Sequence, residues 1–121
     1  MQRTIKFRAW LRYEKEMSEV LVLDNQDERA VVVRKDGTVG WRMFAELELV
    51  QYTGLKDKNG VEIYEGDILS YFGFEYEVTF EESAFGWSED GQFYAFAEMA
   101  IDEIEKTKII GNIYENPELV K

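Results

Sequence analysis

The stretch Tyr52-Thr53-Gly54-Leu55-Lys56-Asp57-Lys58-Asn59-Gly60-Val61-Glu62-Ile63-Tyr64-Glu65-Gly66-Asp67-Ile68-Leu69 holds two sharp backbone events close together. Asp57-Lys58-Asn59-Gly60 sits between apolar residues and reads as a tight turn, because Asn and Gly tolerate the positive φ that a short hairpin connection demands. Glu65-Gly66-Asp67 then turns the chain again, and Ile68-Leu69 open a strand. Gly54, Gly60 and Gly66 let the backbone bend at the corners. Strand, turn, strand, turn, strand is the grammar of an antiparallel sheet, and it sets the expectation of a mainly β fold.

Polar residues in this stretch carry two readings each. Glu62, Glu65 and Asp67 are a candidate carboxylate cluster for Mg²⁺ or Ca²⁺. The spacing does not suit a calcium loop, since Asp57 and Asn59 begin like one but Gly60 comes two residues too early. Asp67 instead suits capping of the Glu65-Gly66 turn through its side chain. Asp57, Lys58 and Asn59 are a candidate interaction tip, because projecting loops often carry function. Hairpin chemistry explains the same residue types without any partner. No residue is assigned a catalytic, cofactor-binding or metal-binding role.

Working outward, residues 4–12 alternate. Ile5, Phe7, Ala9 and Leu11 point one way, and Lys6, Arg8, Trp10 and Arg12 the other, which is a half-buried strand. Met17 to Leu23 follows as a second strand. Ala30-Val31-Val32-Val33 is short and β-branched, so strand wins over helix. Asp36-Gly37 and the returning Thr38-Val39-Gly40-Trp41 form a strong hairpin signal, with Gly40 suggesting a bulge or a close backbone approach. Phe44-Ala45-Glu46-Leu47 suits either a short helix or the start of another strand. Beyond the central stretch, Asp67–Phe72 and Phe74–Glu82 read as a hairpin around Gly73, with Tyr76, Val78 and Phe80 on one face and Glu75, Glu77, Thr79 and Glu81 on the other. A further strand pair turns at Glu89-Asp90-Gly91-Gln92. Ala97–Lys106 holds at most a turn or two of helix. Ile109–Tyr114 is the last strand, and Asn116-Pro117-Glu118 resembles a helix start.

The expectation is N-terminal antiparallel strands in a lobe of about residues 1–50, then a small SH3-like barrel over about 62–114, with little helix. The central stretch joins the two lobes of a single domain spanning 1–121.

Three blocks carry a resemblance. Gln51–Gly60 with Glu62-Ile63-Tyr64-Glu65-Gly66-Asp67-Ile68 is the long central one. Ile5-Lys6-Phe7-Arg8-Ala9-Trp10 and Ile110-Gly111-Asn112-Ile113-Tyr114-Glu115-Asn116-Pro117-Glu118-Leu119 support it at the two ends. Together they resemble the YopX family, small proteins carried by bacteriophages and prophages. Leu11 departs from the family pattern, which commonly has a polar residue, often Asp, after the tryptophan. The resemblance implies a mostly β fold and a phage origin, and it implies no known activity.

Composition narrows the chemistry. The 121 residues include no histidine and no cysteine, which removes the commonest general base, thiolate nucleophiles and disulfides. Serines without a histidine partner exclude a serine triad. No apolar run is long enough to span a bilayer, and Arg3, Lys6, Arg8 and Arg12 interrupt any signal-peptide core. A cytoplasmic protein is expected. The net charge is −11, yet residues 1–12 hold four basic side chains and no acid. From Asn59 to Glu105 there are thirteen acids and no Lys or Arg. Such a chain repels a phosphate backbone, so direct nucleic-acid binding is not expected. The 18 aromatic residues suit core packing with some interface character. The favoured function is a non-enzymatic accessory protein that binds an unidentified protein partner. A homo-oligomeric structural module, a carboxylate–metal enzyme, and a DNA mimic or nucleic-acid-associated protein are the alternatives, and no cofactor is expected.

Overall fold

The computed structural model describes residues 5–81, 83–89 and 91–119. It is 58% strand and 12% helix, in two antiparallel sheets, so the mainly β expectation holds. The chain divides into two compact units, Thr4–Gln51 and a second formed chiefly by Tyr52–Lys121. Arg3, Glu82 and Asp90, named above, lie outside the described residues.

In the N-terminal unit β1 (Phe7–Leu11), β2 (Glu16–Asp24), β3 (Arg29–Val33) and β4 (Val39–Met43) form a meander. The first half of β5 (Leu47–Lys56) pairs with β1, giving the order β4-β3-β2-β1-β5. Alternation decides what is buried: Ala9 and Leu11 of β1 meet Ala30, Val32 and Leu47 in the core, with Val20, Leu23, Phe44 and Leu49 packed around them. Leu11 is fully buried, which gives a physical reason for an apolar residue after Trp10. Phe44–Glu46 is a 3-10 turn that leads directly into β5, so both readings of that segment are realised in sequence.

The bulge falls elsewhere than Gly40. The β3–β4 ladder runs unbroken through Val32↔Gly40. The β2–β3 register instead slips between Val20 and Val22. That slip leaves both Leu21 and Val22 exposed and returns Leu23 to the core side. The Asp36-Gly37 hairpin forms: Arg34 and Thr38 close it by a backbone hydrogen bond of 2.8 Å. The Asp36 carboxylate accepts from the Thr38 N–H and hydroxyl at 2.9 and 2.6 Å. Those two bonds hold its pKa below the ordinary aspartate value.

The C-terminal unit contains β6 (Glu62–Tyr64), β7 (Asp67–Tyr71), β8 (Phe74–Glu81), β9 (Ala84–Glu89), β10 (Gln92–Ala95) and β11 (Lys108–Asn112). Five of these make a sheet in the order β10-β9-β8-β7-β11. The expected SH3-like barrel is corrected here: the order has two ends, and no closed barrel forms among the described residues. Ile63, Leu69, Tyr76, Val78, Trp87, Phe96 and Ile104 are its core. Helix is confined to a 3-10 turn at Phe96–Glu98, one α-helical turn α1 (Ile101–Ile104) and a 3-10 turn at Pro117–Leu119. The helix start read at Asn116-Pro117 is therefore a single tight turn. Asn116 uses its side-chain oxygen to accept from the Asn112 N–H at 3.2 Å rather than to cap the residues that follow. Among the described residues no helix is long and apolar enough to cross a membrane.

Candidate functional site

The polar residues of the central stretch are committed to the backbone. Asp57 is 4% exposed, so it does not project as a tip. One carboxylate oxygen accepts from the N–H groups of Asn59 and Val61, both at 2.9 Å. The other accepts from the Ile109 N–H at 3.0 Å, and the Lys58 N–H donates to the Thr107 carbonyl at 2.8 Å. Asp57 thus fastens the β5–β6 loop to the start of β11. Lys58, Asn59 and Gly60 remain on the surface. Positive φ falls on Gly60 (77°) and not on Asn59.

Gly54, with φ 89°, sits where the β5–β6 register shifts between Tyr52 and Lys56. Gly66, also at φ 89°, is a tighter case. Its N–H donates to the Val78 carbonyl at 2.8 Å, and its carbonyl accepts from the Ile113 N–H at 2.9 Å. A Cβ there would meet Tyr114 Cε2 at 3.1 Å. Asp67 is buried and accepts from the Tyr64 N–H at 2.8 Å across the Glu65-Gly66 turn. No group of three or more acids or other ligand residues could hold a metal ion among the described residues.

The basic strand is likewise engaged. Arg12 donates to the Ala45 carbonyl and to the Glu48 carboxylate. Ala9 and Leu11 occupy the core between these positions.

Aromatic residues of the C-terminal unit divide into two populations. Tyr76 and Trp87 stack at 4.3 Å with 13° between their planes, and Phe96 meets Trp87 edge-on at 6.1 Å. These three are core. Phe72, Phe74, Phe80 and Tyr94 are exposed, Phe72 most of all at 76%. Where the populations meet there is a pocket of about 360 Å³, walled by Tyr71, Trp87, Tyr94 and Met99 with Glu89 and Glu103 on it. Strand register builds it. Trp87 lies opposite Val78 on one side and Tyr94 on the other, so both rings share the face that Tyr76 and Val78 cover. Gly86 draws β10 in, for a Cβ there would stand 2.2 Å from the Tyr94 carbonyl oxygen and 2.7 Å from the Phe93 ring. Met99 and Glu103 arrive from the 3-10 turn and α1. Desolvation raises the Tyr76 phenol above its ordinary pKa, with the charge of Glu89 adding to it.

The opposite face of the same sheet is acidic. Glu75, Glu77 and Ser88 line a groove of about 440 Å³. Burial, and then the neighbouring Glu81, raise the Glu77 carboxyl above its usual value. Glu81 itself accepts from Thr79 and Ser88 at 3.1 and 3.2 Å.

In the sequence Trp87 and Tyr94 are two of 18 aromatic residues, and no local pattern joins them to Tyr71, Met99 and the two acids. The available signal was the turn at Glu89–Gln92, which sets Trp87 opposite Tyr94. The contribution of Met99 and Glu103 depends on how the chain crosses after β10, and no periodicity encodes that.

No curated protein matches this chain. Among solved structures, the crystal structure of protein EF1440 from Enterococcus faecalis is similar, with 32% sequence identity and a TM-score of 0.70, covering 99% of this chain and 100% of that one. The family described as YopX protein matches residues 6–121, essentially the whole chain. This chain belongs to the YopX family.

Proposed function

We propose that the chain is a non-catalytic accessory protein of a phage or prophage, and that it works by binding another protein through the aromatic pocket of its C-terminal unit. The pocket carries the reading: four large side chains wall a concavity whose rim is open to solvent. Concave sites with aromatic walls and a few polar groups are the usual form of a recognition site, and Tyr, Trp and Met are enriched at interfaces. The two buried carboxylates, Asp57 and Asp67, are already engaged by backbone N–H groups, which leaves them poor candidates for acid–base work and supports the non-catalytic half of the reading. Direct nucleic-acid binding is not part of the proposal, because residues 59–105, which build the pocket, hold thirteen acids and no Lys or Arg.

The test is affinity capture from host lysate with the wild-type chain and with Tyr94→Ala. A protein retained by the first and lost from the second is the expected result. Equal recovery with both, or recovery of nothing, overturns the reading.

A second reading, self-association, has its own observation in the N-terminal unit. Val39, Trp41 and Met43 of the end strand β4 are 60%, 47% and 47% exposed. Unpaired apolar strands are templates for pairing with a second chain. Sedimentation of wild type against Trp41→Lys decides it: one monomeric species for both removes this reading.

A further inference from the structure

We infer that the pocket between β7, β9, β10 and α1 takes a basic side chain of the partner protein, arginine in preference to lysine. The inference rests on the protein-binding reading above and names what that site recognises.

Three observations combine. The walls are aromatic: Trp87 forms the floor, and Tyr71 and Tyr94 flank it. Tyr71 meets Trp87 at 5.7 Å between ring centres with the planes tilted by 47°, an ordinary aromatic contact, so the two rings form one continuous wall of the pocket. A cation over an aromatic face is attracted by its quadrupole. Trp87 has one face covered by Tyr76, and Tyr94, 38% exposed, offers the more open ring. Two carboxylates, Glu89 from the end of β9 and Glu103 from α1, belong to the same pocket. No arginine or lysine occurs from Asn59 through Glu105, so the strands that build the walls supply no cation of their own. A neutral apolar group would fit the rings and leave the acids without a role. An anion would face both carboxylates.

One internal cation competes. Lys106 donates to Glu103 at 3.3 Å, three residues along the chain. Both side chains are well exposed, and pairs of this kind are screened and exchange readily. An incoming guanidinium offers more than that ammonium can. It is planar, so it can lie on a ring while donating two parallel N–H bonds to one carboxylate. The N-terminal unit contains a precedent for the first half of this geometry, with the Arg29 guanidinium 4.0 Å from the Trp41 ring centre and Asp24 holding its Nε at 3.4 Å.

The experiment is a titration of the intact, isotope-labelled protein, followed by amide and indole NMR. The probe is a glycine-flanked arginine peptide, and its citrulline counterpart is the control with the same shape and no charge. Saturable shifts at the Trp87 indole and the Tyr94 and Met99 amides are expected, with the citrulline peptide weaker by about tenfold or more. The lysine peptide should fall between the two. Glu89→Gln combined with Glu103→Gln should bring arginine binding down to the citrulline level without altering the fold's spectrum. Equal binding of arginine and citrulline peptides overturns the inference, as do shifts that ignore both carboxylates or an unmoved Trp87 indole at millimolar peptide. If partner capture still depends on Tyr94 while the arginine peptide fails, protein binding stands and the cationic ligand falls.

Discussion

Asp57 and Glu89 are both carboxylates of the C-terminal unit, and they are spent in opposite ways. Asp57 is 4% exposed and receives three backbone N–H groups, drawn from its own loop and from β11. Glu89 is exposed at the mouth of an aromatic pocket. The Asp57 loop carries the polar, turn-rich residues that suggest a functional tip, yet its Asp57 is a fastening, and Lys58, Asn59 and Gly60 stay on the surface. The β9–β10 end carries the aromatic residues that suggest a core, yet part of it is open. A polar side chain indicates function only when its hydrogen-bonding capacity is left over after the backbone has been served. An aromatic one does so only when its ring is left uncovered.

The sharpest way to break this comparison is Asp57→Ala. It strands the N–H groups of Asn59, Val61 and Ile109, and the loss should be about 3 kcal/mol or more in denaturant unfolding. A variant that keeps its stability within about 1 kcal/mol but loses partner capture would make Asp57 the functional residue after all.

Next in size are two glycines with the same φ of 89°. Gly54 has nothing within 4 Å of a notional Cβ, so Gly54→Ala should cost about 1 kcal/mol from the left-handed backbone alone. Gly66→Ala adds the Tyr114 ring at 3.1 Å and should cost about 2 kcal/mol or more. Equal costs would show that Tyr114 yields freely and that the knot at Gly66 is looser than its hydrogen bonds imply.

Phe72 lies on the open side of the comparison. It occupies the first position of the two-residue β7–β8 turn with φ 48°, followed by Gly73 at 83°. Two positive φ values define the mirror-image hairpin turn that favours Asn-Gly. Phe72→Asn should therefore stabilise the fold by about 0.5–1 kcal/mol in thermal unfolding. If the exposed ring contacts the partner, the same change should weaken capture. Destabilisation instead would mean that the edge contact with Tyr71, 4.5 Å between centres, outweighs the backbone strain.

The smallest effect concerns Glu77. Its carboxyl is raised in the folded state, so the neutral form is favoured by folding. Its favourable contribution is present below the unfolded-state value and is lost as pH rises through the folded one. Glu77→Gln should match wild type in acid and exceed it slightly near neutrality, by no more than about 0.5 kcal/mol. A constant offset across pH would assign the effect to packing instead of charge.

Much of the fold was legible because alternation and turn chemistry are local. Alternation of Glu75, Glu77, Thr79 and Glu81 with Tyr76, Val78 and Phe80 marks the two faces of β8, although burial ends at Val78 and Phe80 is 48% exposed, and Asp36-Gly37 marks a hairpin. Asp67 suits the cap of its turn by residue type, and it accepts the Tyr64 N–H. Closure of a barrel was not legible: it depends on whether the end strands β10 and β11 find each other, a long-range property that strand patterns do not specify. Nor was the bulge at Leu21, since Val20-Leu21-Val22-Leu23 is uniformly apolar and hides a one-residue slip. The burial of Asp57 escaped for a similar reason. Its third donor, Ile109, lies 52 residues away.

That separation also has a temporal side. The β5–β6 and β7–β8 hairpins can form from neighbouring residues, but the Asp57 loop is not fastened until the chain through Ile109 has been made and has returned. Loop closure over such a span is the slow kind of contact. Until it happens, β7 offers a bare edge to any other nascent chain, and β11 is the segment that retires that hazard. The C-terminal block is then the latch that separates productive folding from edge-to-edge aggregation.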